Sequence, residues 1–163
     1  MVRADDRLKA EMKEMARSPL PYAHACPRAD NIRKWDGVIE GPVDSPYEGG
    51  KFNFTMYFYY DYPFSPPKVI FKTRIYHCNF NKLGNVCLDT LKLPEDGGSW
   101  TSGMTISSVL ISLHQLIGEA NEADPLTLSI AKVLRKSRDE KTDEHDAIAR
   151  LWTKRFAMPE PHS

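Results

Sequence analysis

Between Lys51 and Tyr60 the chain alternates without a break, with Phe52, Phe54, Met56, Phe58 and Tyr60 on one side and Asn53, Thr55, Tyr57 and Tyr59 on the other. A period of two places successive side chains on opposite faces of a pleated strand, so this stretch predicts a sheet with one buried face. Its neighbours fit the same plan. Trp35 to Glu40 reads as a strand ended by Gly41-Pro42, and Lys68 to Lys72 as another short one. Because short turns and not long crossovers join these segments, the expected sheet is an antiparallel meander of about four strands. Pro63, Pro66 and Pro67 stop any strand between Tyr60 and Lys68 and leave Phe64 displayed on a stiff, turn-rich loop.

Outside the sheet the period changes to that of a helix. Leu8, Met12 and Met15 recur at helical spacing before Pro19 and Pro21 close the segment. The charges of this first helix, Arg7, Lys9 and Lys13 against Asp5, Asp6, Glu11 and Glu14, read as a solvated face. After Thr105, the residues Ile106, Val109, Leu110, Leu113, Leu116 and Ile117 sustain one apolar face, which predicts a central helix packed on the sheet. Ile130, Val133 and Leu134 mark a third helix, and Ile148, Leu151, Trp152 and Phe156 a fourth. Acids at Asp143, Glu144 and Asp146 and bases at Lys154 and Arg155 suit the dipole of that last helix. The expected fold is therefore α+β: an N-terminal helix, a four-stranded antiparallel meander, a central helix and two C-terminal helices. At 163 residues it reads as a single domain with a short polar tail from Met158.

Composition excludes several classes of function. The 22 basic and 22 acidic residues cancel, which argues against capture of nucleic acid by the whole chain. No apolar run approaches the roughly 20 residues that span a bilayer. The charged start, Met1 to Asp6, argues against a secretory signal and for a cytoplasmic or nuclear setting. Three cysteines, Cys26, Cys78 and Cys87, without C-x-x-C spacing support neither a disulfide framework nor a zinc site.

One stretch does not fit a plain scaffold. From about Phe71 to Met104 no regular period holds, and long irregular segments inside compact domains are usually functional when ordered. Within it lies Asn79-Phe80-Asn81-Lys82-Leu83-Gly84-Asn85-Val86-Cys87-Leu88-Asp89. A free cysteine is more often a small buried hydrophobe. Here it follows a polar, glycine-containing turn within reach of a bulky partner, and Cys87 is the candidate nucleophile.

The run from Arg74 to Leu91 resembles the active-site signature of the ubiquitin-conjugating enzymes, with His77-Cys78-Asn79 where that family has His-Pro-Asn and Cys87 where it has its thioester-forming cysteine. Tyr62-Pro63-Phe64-Ser65-Pro66-Pro67-Lys68, Gly41-Pro42 with Ser45 to Gly50, Trp100, Asp124-Pro125-Leu126 and Trp152 are similar to further family landmarks, so the resemblance covers roughly residues 5 to 157. It implies that Cys87 receives ubiquitin from an activating enzyme by transthioesterification and loses it to a substrate lysine. Only a few per cent of an unperturbed thiol is thiolate at pH 7, which suffices for an electrophile that is already activated. Thioester to amide runs downhill, so no Cys-His-Asp triad is required, and neither a cofactor nor a metal is implied.

The resemblance also assigns roles. Asn79 would donate to the oxyanion formed when lysine attacks, a contact typically worth about 2.7 to 4 kcal/mol, or else tie its loop to itself. Asp124 would orient the incoming ammonium, or else cap the following helix. His77 braces the loop, Leu88 lies under the modifier tail, Asp89 sits at the groove rim, and Tyr76 lines the groove or packs in the core. The first helix, including Arg7, would meet the activating enzyme and a RING-type or HECT-type ligase, with Pro63, Phe64, Ser102 and Gly103 completing the ligase-facing surface. Two other readings stand beside this one: an enzyme for another ubiquitin-like modifier, and a non-catalytic scaffold that binds modifier or ligase. Cys87, Asn79 and Asp124 together disfavour the scaffold. The chain departs from the family at Cys78, at the proline-free Gly118 to Asp124 segment, and at Ser102-Gly103 where relatives often have Pro-Ala. It departs again at Lys92 to Trp100, which is a few residues longer than in the shortest relatives.

Overall fold

Four strands lie side by side in chain order, β1 (Ala23–Arg28), β2 (Asn31–Glu40), β3 (Lys51–Tyr57) and β4 (Lys68–Phe71), every pair antiparallel. This computed structural model describes residues 3–159, so the first two residues of the charged start and the last four of the expected tail lie outside the described residues. The alternation does what its period requires: Phe52, Phe54 and Met56 are buried. Tyr60 departs from it. The strand stops at Tyr57, a turn closed by Tyr62 N–H on Tyr59 O follows, and Tyr60 is left 80% exposed. Thr55 is also buried although it faces the wet side, with its hydroxyl donating to Asp36 Oδ1 at 3.0 Å. β1 has no counterpart in the sequence reading, and β2 begins four residues before Trp35. Pro27 hid β1, and it is tolerated because β1 is an edge strand whose outer side needs no ladder donor.

Helix α1 (Ala4–Arg17) precedes the sheet; α2 (Ile106–Gly118), α3 (Leu128–Glu140) and α4 (Glu144–Trp152) follow it. α2 is started by a capping box, in which Thr105 and Ser108 each bond the other's backbone N–H. Its six expected apolar residues are all buried against the sheet, each such burial contributing on the order of 1.5–3 kcal/mol. In α1 the inward face is Ala4, Leu8 and Glu11, and Met12 is exposed, contrary to the spacing read from sequence. Glu11 can be buried because its oxygens are occupied: Oε1 accepts Ile106 N–H at 2.7 Å, and Oε2 accepts the Tyr62 hydroxyl and Arg7 Nε. This carboxylate joins α1, the N-terminus of α2 and the proline-rich loop, where helix-end N–H groups favour negative charge. Leu151 is likewise exposed; α4 turns His145 and Ala149 inward, and one wide turn, Thr153–Ala157, continues that face.

Candidate active site

The segment after β4 is shaped by local bonds. Asn81 Oδ1 accepts the N–H groups of Leu83 and Asn85, both at 3.0 Å, which closes a turn. Gly84 occupies the left-handed region (φ +87°), and a Cβ there would sit 2.1 Å from Phe71 O, so the turn can dock on the end of β4 only with glycine. The returning arm pairs Phe80 with Val86, and Cys87 N–H donates to Asn79 O at 2.8 Å. This short hairpin presents the thiol.

Beneath it, every polar side-chain atom of His77 and Asn79 has a partner. His77 Nε2 donates to Leu116 O at 2.7 Å and Nδ1 accepts Asn79 N–H at 3.0 Å. Burial lowers the His77 pKa to about 4, so the ring is neutral with its proton on Nε2. Asn79 is fully buried, and its Nδ2 donates to Asn121 O at 2.9 Å and to Asp124 O at 3.1 Å. Its Oδ1 accepts Asn121 N–H at 2.8 Å. Both amide hydrogens therefore hold the segment 121–124 in place. Cys78 O adds bonds from Leu126 N–H (2.8 Å) and Thr127 N–H (2.9 Å), and the Thr127 hydroxyl donates to Phe80 O at 2.6 Å. The Cys78 thiol is buried against Asn79 Oδ1, burial raises its pKa, and all three cysteines are free.

Cys87 sits differently. Its half-buried Sγ donates to Asp124 Oδ2 at 3.3 Å and accepts from Lys92 Nζ at 3.7 Å. Burial pushes the thiol pKa up, the hydrogen bond to Asp124 adds to this, and the charge of Lys92 opposes both. Asp124 does not cap α3, whose N-cap is Thr127 with no side-chain bond. The thiol opens on a cleft of about 780 Å³ whose walls include Leu88, Asp89, His114, Glu119 and Asn121. Tyr76 is absent from that wall. It is buried between His145 and Trp152 with its carbonyl accepting the Tyr47 hydroxyl, which makes it a core residue.

Lys92 was not among the sequence candidates. The chain doubles back to reach it: Lys92 N–H donates to Asp89 O (3.1 Å) and Trp100 N–H to Lys92 O (3.0 Å). A Cβ on Gly98 would lie 2.1 Å from Lys92 O, so the Gly97-Gly98 pair is the one sequence signal for this return.

The proposed partner surface lies on other loops. Phe64 is 60% exposed while Pro63 is buried, its carbonyl accepting Trp100 Nε1 at 2.8 Å. Ser102 and Gly103 are exposed. Arg7 donates to Met104 O at 3.0 Å and lies 5.9 Å from the Tyr62 ring centre. These bonds tie α1, the Phe64 loop and the Ser102–Gly103 loop together. In comparison with known families, residues 7–149 match the one described as ubiquitin-conjugating enzyme, a span that includes every residue of the corner and the cleft named above.

Proposed function

Since the chain belongs to the ubiquitin-conjugating enzyme family, we propose that it accepts ubiquitin from an activating enzyme as a thioester on Cys87 and transfers it to a substrate lysine. Members of this family act with a ubiquitin-like modifier, an activating enzyme and a ligase. The observation that carries the reading is a half-buried thiol opening on a wide cleft with the Asp124 carboxylate 3.3 Å from its sulfur. In loading, Sγ attacks the activated carbonyl, its proton passes to solvent, and the activating enzyme's thiolate leaves. In transfer, the Asp124 carboxylate receives the substrate ammonium that enters the cleft and takes its proton. Because a carboxylate alone raises an amine pKa, exclusion of water by the modifier must do the lowering.

Asn79 contributes in two ways. Its bonds hold Asp124 at the thiol, and its Nδ2–H on Asp124 O, the longer of the two at 3.1 Å, turns to the oxyanion as the tetrahedral intermediate forms. Since one bond is exchanged for another, the gain is smaller than that of a free donor. Phe64 anchors a RING-type or HECT-type ligase, and Arg7, Ser102 and Gly103 border that contact. No helix among the described residues is long and apolar enough to cross a membrane, and the proposed setting is the cytoplasm or nucleus.

The test is a charging reaction with activating enzymes and a panel of tagged modifiers, run on a gel with and without reductant. Wild type gives a reductant-sensitive adduct with ubiquitin, Cys87→Ala none, and Cys87→Ser a reductant-resistant ester. Charging only by another modifier would reassign the substrate. No adduct with any modifier would favour the scaffold reading.

A further inference from the structure

Five charged or titratable side chains line the cleft around Cys87: Asp89 on its own segment, Lys92 on the returning loop, His114 on α2, and Glu119 and Asp124 on the segment that follows α2. Two of them touch the sulfur, and they act in opposite directions. The Asp124 carboxylate at 3.3 Å accepts from S–H and favours the thiol; the Lys92 ammonium at 3.7 Å donates to sulfur and favours the thiolate. Among the described residues Lys92 forms no ion pair, and its one side-chain hydrogen bond is to Cys87. Its backbone is held on both sides, by Asp89 O and Trp100 N–H, and by the close approach of Gly98. A long, flexible ammonium side chain is here given a fixed base and a single partner.

We propose that Lys92 is a catalytic residue that stabilises the Cys87 thiolate, as nucleophile during loading and as leaving group during transfer. The proposal rests on the reading of Cys87 as the thioester residue. In loading, the S–H proton leaves to solvent, the new C–Sγ bond forms, and the C–S bond to the activating enzyme breaks. In transfer, the lysine C–N bond forms, the C–Sγ bond breaks, and Sγ departs with its electron pair beside the Lys92 ammonium while the amine proton goes to Asp124 and then to water. The returning loop thereby acquires a chemical role.

The test needs no modifier. Alkylation of the full chain by iodoacetamide, followed at Cys87 by peptide mass spectrometry from pH 6 to 10, reports the thiolate fraction directly. For Lys92→Gln the midpoint moves up by about 0.5 to 1 pH unit, which makes alkylation about three- to ten-fold slower at pH 7. The high-pH plateau stays at or slightly above that of wild type, since a more basic thiolate is the better nucleophile. Lys92→Arg keeps the wild-type midpoint, and 1 M salt shrinks the difference. Asp124→Asn moves the midpoint down. An unshifted midpoint, or a rate lowered equally at every pH, would overturn the proposal. Charging of the wild type, measured in parallel, separates the two claims: charging with an unshifted alkylation profile contradicts the role of Lys92 alone, whereas a shifted profile with no charging contradicts the assigned function and leaves thiolate stabilisation standing.

Discussion

The His77–Asn79 corner and the Cys87 tip are only eight residues apart at their nearest, Asn79 and Cys87, no more than a short hairpin, yet they are built on opposite principles. In the corner the side-chain polar atoms of His77 and Asn79 are buried and bonded at 2.7 to 3.1 Å, His77 to Leu116 and Asn79, and Asn79 to Asn121 and Asp124. At the tip the contacts to sulfur are 3.3 and 3.7 Å, and the groups making them stand in an open cleft. A satisfied buried network is rigid and costly to disturb; weak, wet contacts around a nucleophile can be exchanged for those of an incoming substrate. On the proposed function the molecule separates what holds the site from what reacts, and Asp124 joins the two, its carbonyl in the corner and its carboxylate at the tip.

Several changes break or sharpen this division. Asn79→Ala strikes both sides and has the largest effect. It destabilises the chain by about 2–4 kcal/mol, because several buried groups lose their partner, and slows lysine discharge about 10- to 100-fold. Denaturant unfolding and single-turnover discharge from pre-charged enzyme measure the two losses; discharge at the wild-type rate would remove Asn79 from catalysis. His77 affects stability alone. Its pKa is near 4 folded and about 6.5 unfolded, so between these values the unfolded chain binds a proton that the folded chain refuses. Stability is therefore full above pH 6.5 and declines as the pH falls toward 4, by roughly 3 kcal/mol in all, and urea titrations across that window should find the slope absent in His77→Gln.

Asp124→Asn tests the tip. It keeps the backbone carbonyl, so stability stays within about 0.5 kcal/mol while discharge at neutral pH falls about ten-fold. A large loss of stability would place the carboxylate in the frame. The smallest effect on the isolated enzyme is that of Phe64→Ala, which leaves charging and unstimulated discharge unchanged and weakens stimulation by a cognate RING ligase about five-fold. Equal stimulation of mutant and wild type would move the anchor elsewhere.

The same division explains what the sequence made legible. Periodic burial exposes itself, so β3, β4, α2 and the later helices could be read from spacing, and the turn before Cys87 from Asn81 and Gly84. Residues whose environment is made by distant partners could not. Glu11 is inward only because Tyr62 and the N–H of Ile106 meet it, 51 and 95 residues away. Asn79 is bonded to residues more than 40 positions downstream. β1 buries a single side chain, Ala25, and contains Pro27, so no alternation marks it. Tyr60 and Leu151 continue their patterns past the point where the strand stops and where the helix face turns. Lys92 is near Cys87 in sequence, but only the fold-back at Gly97-Gly98 brings its ammonium to the sulfur.

The central claim is that the chemistry belongs to Cys87 and to no other thiol, with Cys78 confined to the frame. It is tested most directly by charging the wild-type chain with ubiquitin, digesting it without reductant, and locating the thioester by mass spectrometry. The account predicts the modifier's C-terminal remnant on the Cys87 peptide, with Cys26 and Cys78 unmodified. A remnant on Cys78 or Cys26, or an adduct that survives in Cys87→Ala, would contradict it.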